Sequence, residues 1–291
     1  MATELVDASK LDACCTAEAN AIRAKTGSSA QIAYDWANSK GFADAIAAIP
    51  TGGGVSLDDF VSGTEPTGAV TLTTATSIRD WFFYKTSITS ISGSAVATVG
   101  ENAFRSLNSL TSVSLNNATE LKNECFRECG NLTSVSFPNV TTLTGEGMFR
   151  QCGKLITASL PKATVVQTYL FYNNQKLTTV DVSLATEVKI SAFQQCYALE
   201  LLDLPKVTKI YNNAFYNARV LYTLILRHTS VVTLDNVGAF TNTPVRGYNG
   251  SSATIFVPQN LIATYKTASN WSSIFNEGHV TFSAIEGSIY E

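Results

Sequence analysis

Two histidines are the first residues to consider for catalysis or metal binding. His228 and His279 lie far apart in the sequence, and neither belongs to a spacing typical of a metal site or a catalytic triad. The glycine run at residues 52–54 lacks the lysine, and the flanking strand and helix, that a phosphate-binding loop requires. The sequence therefore predicts a protein that is not an enzyme and that holds no metal and no cofactor. An enzyme with a cryptic site remains as an alternative.

Three cysteines recur at one position of a repeated pattern. Cys129, Cys152 and Cys196 each lie three residues after a phenylalanine. One interpretation is a metal or redox ladder, because Cys129 and Cys152 would occupy neighbouring repeats. The other is packing, because a small side chain suits a tight turn and the equivalent positions hold Leu107 and Ala218. We favour packing.

The composition is that of a folded protein with little net charge. Of the 291 residues, 45% are hydrophobic and 15% are charged, against about a quarter charged in typical domains. The 20 basic and 23 acidic residues leave a net charge of −3, so no surface for nucleic acid is expected. No apolar stretch reaches the roughly 20 residues that cross a bilayer, so no membrane insertion is expected. The N-terminus has neither a basic region nor an apolar core, and we therefore expect no secretory signal peptide.

A repeat of 22 to 23 residues determines where the candidate residues lie. Six phenylalanines, which we call the anchors, mark it at intervals of 22, 23, 22, 22 and 22 residues: Phe104, Phe126, Phe149, Phe171, Phe193 and Phe215. Apolar residues recur 6, 9, 11 and 17 residues after each anchor. In that order they are Leu110, Leu132, Leu155, Leu177, Leu199 and Leu221; Val113, Val135, Ala158, Val180, Leu202 and Leu224; Leu115, Phe137, Leu160, Val182, Leu204 and Leu226; and Leu121, Leu143, Val166, Val188, Ile210 and Val232. One such unit cannot bury its apolar edge alone, so successive units must stack on a continuous core.

The stacked units predict a repeat solenoid. Each coil would contribute one short parallel strand, about 4.8 Å from the next, followed by a turn or a short helix. We predict the solenoid over residues 66–245 and a capping segment over residues 246–291, in which Tyr265 and Trp271 would cover the last coil. The alanine-rich residues 1–50 predict a small helical N-terminal adaptor, and residues 51–65 a glycine-rich linker.

Two resemblances follow from these patterns. The repeat, read most clearly at Ala192–Ile210, resembles the BspA-type leucine-rich repeats of bacterial surface proteins, which implies a leucine-rich repeat fold and a cell-surface adhesin that binds host proteins. Residues 19–27 and 41–49 resemble an N-terminal element of phage and prophage tail-associated proteins, which implies a virion or tail setting. In either setting we expect a binding and recognition scaffold, and residues 1–50 would allow oligomerisation.

Outward-facing strand residues form the candidate binding surface. They lie seven, eight and ten residues after each anchor, and for the first three coils Ser and Thr simply suit an exposed strand. The later coils supply the predicted contact patch, which consists of Asp181, Glu200, Leu201, Asp203, Tyr222 and Ile225. Asp181 and Asp203 would lie about 5 Å apart, a like-charge pair that destabilises the fold unless a cation or a partner relieves it. The expected partner is a protein or a surface glycan.

The turns on the other side of each coil carry charge as well. Arg105, Arg127 and Arg150 directly follow three successive anchors, and Glu124 and Glu128 lie close to them in sequence. We expect a solvated edge of ion pairs there.

Overall fold

A computed structural model describes residues 67–72, 75–84 and 86–291, together with the backbone of one short strand pair nearer the N-terminus. In that pair, β1 (Leu5–Val6) runs antiparallel to β2 (Ile32–Ala33). The helices predicted within residues 1–50 and the linker predicted at 51–65 lie outside the described residues. Among the described residues, no helix combines the length and the apolar character that crossing a membrane requires.

The described chain forms a stack of coils built from short parallel strands, two to a coil. The strands of the first face are β3 (Thr67–Leu72), β5 (Ser87–Gly93), β7 (Ser112–Ser114), β9 (Ser134–Ser136), β11 (Thr157–Ser159), β13 (Thr179–Asp181), β15 (Leu201–Asp203), β17 (Thr223–Ile225), β19 (Ala253–Val257) and β20 (Val280–Ala284). The strands of the second face are β4 (Ser77–Ile78), β6 (Thr98–Val99), β8 (Glu120–Lys122), β10 (Thr142–Thr144), β12 (Val165–Val166), β14 (Glu187–Val188), β16 (Lys209–Ile210) and β18 (Thr233–Leu234). The predicted repeat solenoid is confirmed, although each coil contributes two short strands where the sequence predicts one.

The first face, which carries the predicted contact patch, is not the single continuous sheet that the sequence predicts. Its strands form three parallel ladders, β3-β5-β7, β9-β11-β13 and β15-β17-β19-β20. The two interruptions follow β7 and β13. The inward residues of those two strands, Val113 and Val180, are half-buried, whereas all the other predicted inward residues are buried. The backbone pairing of this face is therefore divided among three ladders.

The anchors stack in one column through the core. All six are fully buried, and Phe83 and Phe240 extend the column at its two ends. Neighbouring rings of this column lie 4.9 to 5.9 Å apart between centroids and are close to parallel. Offset stacking of this kind adds to the free energy gained by burying the rings.

The turns that carry the anchors are hydrogen-bonded from coil to coil. The backbone N–H groups of Phe104 and Ser106, for example, donate to the carbonyls of Cys125 and Arg127, each at 2.8 Å. Residues two before or two after an anchor have φ between 49° and 62°, namely Asn102, Ser106, Glu124, Glu128, Gln151, Tyr169, Asn173, Ser191, Gln195, Asn213 and Asn217. Asparagine tolerates this left-handed conformation better than most residues, which accounts for its frequency here. These turns take the place of helices between the strands.

A capping segment with its own secondary structure covers the last coil. It contains 3-10 turns at Val237–Phe240, Pro244–Arg246, Tyr248–Gly250 and Gln259–Leu261, followed by the helices α1 (Ile262–Thr267) and α2 (Trp271–Asn276). The Tyr265 hydroxyl accepts a hydrogen bond from the Val232 N–H at 3.0 Å, and the Trp271 indole N–H donates to the Val232 carbonyl at 2.6 Å. The Asn270 amide donates to the carbonyl of Leu234. The cap thus satisfies backbone groups that the edge of the last coil would leave unpaired.

Candidate functional site

The outward residues of the first face divide into two groups. We call the outward residues of β7, β9, β11 and β13 the hydroxyl half: Ser112, Ser114, Ser134, Ser136, Thr157, Ser159, Thr179 and Asp181. We call Glu200, Leu201, Asp203 and Tyr222, which lie on or just before β15 and β17, the charged half. The interruption between β13 and β15 separates the two.

A groove of about 270 Å³ runs along the hydroxyl half. Its walls include Ser134, Ser136 and Thr157, and its acidic end is Asp181. Ala158 lies in the floor, at a position where the flanking coils carry valine. Because the alanine side chain is smaller than valine, the surface is concave at this position. Sequence reasoning assigned these hydroxyls only to strand preference, although the alanine in the inward column was a visible sign of the groove.

Asp181 is held within its own half. Its carboxylate accepts hydrogen bonds from the Ser183 backbone N–H at 3.2 Å and from the Ser183 hydroxyl, and a longer one from the Ser159 hydroxyl at 3.4 Å. Among the described residues, no cation lies within ion-pair distance of it. Its charge is stabilised by hydroxyl and amide donors alone.

Asp203 has a cationic partner that the sequence prediction missed. The Arg227 Nε donates to both carboxylate oxygens of Asp203, at 3.0 and 3.2 Å. A second nitrogen of Arg227 donates to the Tyr290 carbonyl. Arg227 therefore offsets the charge of Asp203 within the chain. Arg227 directly follows the inward residue Leu226, so a basic residue just after a strand was the available indication.

The remaining predicted patch residues differ in exposure. Glu200 is exposed, Leu201 is 38% exposed and Tyr222 is 43% exposed. These are large fractions for apolar and aromatic side chains on a sheet. Ile225 was predicted to be exposed with them, but this placement is wrong, since it is only 1% exposed. It lies opposite Phe256 of β19, whose ring contacts Tyr290 at 4.9 Å between centroids.

The repeated cysteines pack in the turns and form hydrogen bonds there. Cys129, Cys152 and Cys196 are fully buried, and each thiol donates to the carbonyl of the anchor in the preceding coil at 3.1 to 3.3 Å. Burial raises the pKa of each thiol, and that of Cys152 to about 12. A thiol with a raised pKa is a poor nucleophile and a poor metal ligand at neutral pH. Within the described part of the chain, no group of three or more His, Cys, Asp or Glu side chains is arranged to hold a metal ion.

The arginine edge is neutralised around one glutamate. Glu124 lies 3.2 Å from Arg105, 2.7 Å from Arg127 and 3.9 Å from Arg150. Glu128 accepts from the Ser106 hydroxyl and pairs with Arg127, and these contacts hold its pKa below the ordinary value. The edge is therefore an internal ion-pair network between coils.

Comparison with known proteins identifies the repeat. The family model described as the BspA type leucine rich repeat region (6 copies) matches residues 76–200 and 145–267, about two thirds of the chain. The chain belongs to the BspA-type leucine-rich repeat family. The resemblance seen in the repeat is thereby confirmed. No curated protein matches the chain significantly.

Solved leucine-rich repeat proteins share similarity with this BspA-type chain. One from Eubacterium ventriosum is 21% identical, with a TM-score of 0.49, and the alignment covers 60% of this chain and 47% of that protein. The chain thus spans about half the length of the Eubacterium protein. One from Bacteroides ovatus is 16% identical over 73% of this chain and 76% of its own, with a TM-score of 0.38. A leucine rich cell surface protein from Faecalibacterium prausnitzii is 17% identical over 71% and 81%, with a TM-score of 0.30.

Proposed function

We propose that the protein is a non-enzymatic binding scaffold that contacts a protein or a surface glycan through the charged half. The observation that carries this proposal is the exposure of Leu201 and Tyr222 on neighbouring coils. Their backbones are fixed by the β15–β17 ladder and by the hydrogen bond from the Tyr222 N–H to the Glu200 carbonyl at 3.0 Å. Because the backbone is already ordered, binding to these side chains does not require the backbone to lose further conformational entropy.

The composition of the charged half supports recognition over catalysis. Aromatic residues are enriched at the centres of protein interfaces, and Tyr222 has the exposure that such a contact needs. Glu200 adds an exposed carboxylate beside it, which has no ion-pair partner among the described residues and would favour a cationic or hydrogen-bond-donating group of the partner at that point. The hydroxyl half would supply weaker, polar contacts to the same partner.

The biological setting is proposed on the two resemblances. The BspA-type repeat favours a bacterial cell surface, where the scaffold would act as an adhesin for host proteins. The N-terminal residues 19–27 and 41–49 favour a phage or prophage tail as the second setting, with residues 1–50 as the attachment or oligomerisation segment. Both settings use the same exposed face.

The test is a binding screen of the full chain against glycan and protein arrays, followed by two matched variants. Leu201→Ser with Tyr222→Ser removes the exposed apolar groups of the charged half. Leu184→Ser is the control, because Leu184 is 47% exposed but lies outside both halves. We expect the double variant to bind any partner found at least tenfold more weakly, and the control to bind as the wild type does. Equal binding by all three proteins would contradict the proposal.

A further inference from the structure

One arginine beside the charged half is held between two tyrosine rings. The guanidinium carbon of Arg219 lies 4.8 Å from the ring centroid of Tyr197 and 5.5 Å from that of Tyr248. Tyr197 comes from the preceding coil, at the equivalent position, and Tyr248 comes from the turn that follows the last anchor-like phenylalanine. Both tyrosines are half-buried, whereas Arg219 is exposed.

Arg219 differs in its surroundings from five other arginines of the described chain. Arg105, Arg127, Arg150, Arg227 and Arg246 each have a carboxylate within 4.0 Å. Arg219 has none among the residues that the structure describes, and it makes no hydrogen bond with them. It is therefore a positioned cation that contacts two aromatic rings but has no carboxylate partner among the described residues.

The N–H groups of this guanidinium are available to a ligand. The rings of Tyr197 and Tyr248 contact the group, and its N–H groups donate to no acceptor among the described residues. The planar edge of a guanidinium matches the two oxygens of a carboxylate, which accepts two parallel hydrogen bonds from it. Because the rings already restrict the side chain, less conformational entropy is lost when an anion binds.

The position of Arg219 connects it with the proposed binding face. It lies three residues before Tyr222, and Tyr197 lies three residues before Glu200. The Tyr222 N–H also donates to the Val220 carbonyl at 2.8 Å, which fixes the turn between Arg219 and Tyr222. Arg219 thus lies in the turn that leads into the strand beside Tyr222, and arginine and tyrosine are both enriched in protein interfaces.

We propose that Arg219, held between Tyr197 and Tyr248, anchors a carboxylate of an acidic segment in a protein partner. The inference rests on the proposed binding function and names the chemistry of the partner. It predicts that recognition depends on the planar shape of the guanidinium as well as on its charge.

The experiment measures binding of the full chain to a fluorescent peptide of eight alternating Asp and Glu residues at low ionic strength. Arg219→Lys keeps the charge but loses the planar edge, and we expect it to weaken binding at least fivefold. Arg219→Gln should abolish binding. Lys176→Gln is the control, since it removes the same charge from another exposed turn and should change the affinity less than twofold. Thermal melting of each variant checks that the fold is kept.

Two results would overturn the inference. Equal losses in Arg219→Gln and Lys176→Gln would show that only net charge matters. Tighter Arg219-dependent binding of a sulfated heparin hexasaccharide than of the acidic peptide would assign the site to glycans. The array screen distinguishes failure of this inference from failure of the proposed function. If the array partner depends on Leu201 and Tyr222 but not on Arg219, the scaffold function stands and the anchor is wrong.

Discussion

The two halves of the first face have one backbone plan and different side-chain chemistry. In the hydroxyl half, β11 and β13 present Ser159 opposite Asp181, and the carboxylate is held by hydroxyl and amide donors. In the charged half, β15 and β17 present Asp203 opposite Ile225, and the carboxylate is held by Arg227. The difference shows that the repeat determines where outward groups lie but leaves their identity free. The outward chemistry can therefore change along the face without any change in the core.

The boundary between the halves is also structural. The ladder ends at β13 and resumes at β15, and Val180 at this boundary is less buried than its equivalents in the neighbouring coils. Stacked coils nevertheless continue beneath it, because Phe171 and Phe193 remain in contact at 5.5 Å between ring centroids. The two halves thus differ at the surface and share one core.

The largest change in the free energy of unfolding is expected from a substitution in the shared core. Leu177 is fully buried in the coil at the boundary, so Leu177→Ala should lower the free energy of unfolding by about 2 to 5 kcal/mol through loss of apolar burial and a residual cavity. Thr179→Ala in the same coil removes an exposed hydroxyl and should change it by less than about 0.5 kcal/mol. Urea unfolding followed by circular dichroism measures both. A small effect of Leu177→Ala would mean that the halves do not rest on a common core.

Alkaline pH should lower the free energy of unfolding through the buried thiols of the coils beneath the hydroxyl half. Cys125, Cys129 and Cys152 lie there, and burial raises the pKa of each thiol, that of Cys152 to about 12 from 9.0. The folded state thus keeps the thiols neutral, whereas the unfolded state releases their protons above about pH 9. Stability is fully present below pH 9 and is lost as the pH rises from there toward 12.

The contribution of one thiol can be isolated by substitution. Cys152→Ala is suited to this, because Ala218 occupies the equivalent position in another coil. Between pH 8 and pH 10 the wild type should lose about 1.4 kcal/mol more than this variant does, as expected for one thiol that ionises only when unfolded. Chemical unfolding at the two pH values gives the difference. Parallel losses in both proteins would show that the Cys152 thiol is already ionised in the folded state.

The sequence predicts the core well because each coil repeats the same apolar residues at the same spacing. Every anchor must meet the anchor of the next coil, so residue type and spacing recur, and the spacing alone predicts that the six anchors from Phe104 to Phe215 lie in the core. The interruptions of the first face cannot be predicted in this way. No change of residue type marks them, because Val113 and Val180 are as apolar as their equivalents in the other coils.

The sequence predicts the charged half less well because the repeat ends beside it. After Phe240 the spacing is lost, so no pattern indicates that Phe256 becomes the next strand residue beside Ile225 or that Tyr248 stacks on Arg219. The pair between Asp203 and Arg227 joins residues 24 positions apart and depends on side-chain conformation. Burial of Ile225 and neutralisation of Asp203 are consequences of contacts that a periodic pattern does not encode.

The smallest expected effect is a difference in stability and salt dependence between variants of Asp203 and Asp181. Asp203→Asn breaks an ion pair whose side chains are about one third exposed, so it should lower the free energy of unfolding by about 1 kcal/mol or less, and less at high salt. Asp181→Asn, the matched control, should show no comparable salt dependence, because its carboxylate has no cationic partner among the described residues. Urea unfolding of both variants at low and high salt measures this. If the two variants respond to salt alike, Arg227 does not neutralise Asp203 in solution, and the contrast between hydrogen-bonded and ion-paired carboxylates on the two halves is wrong.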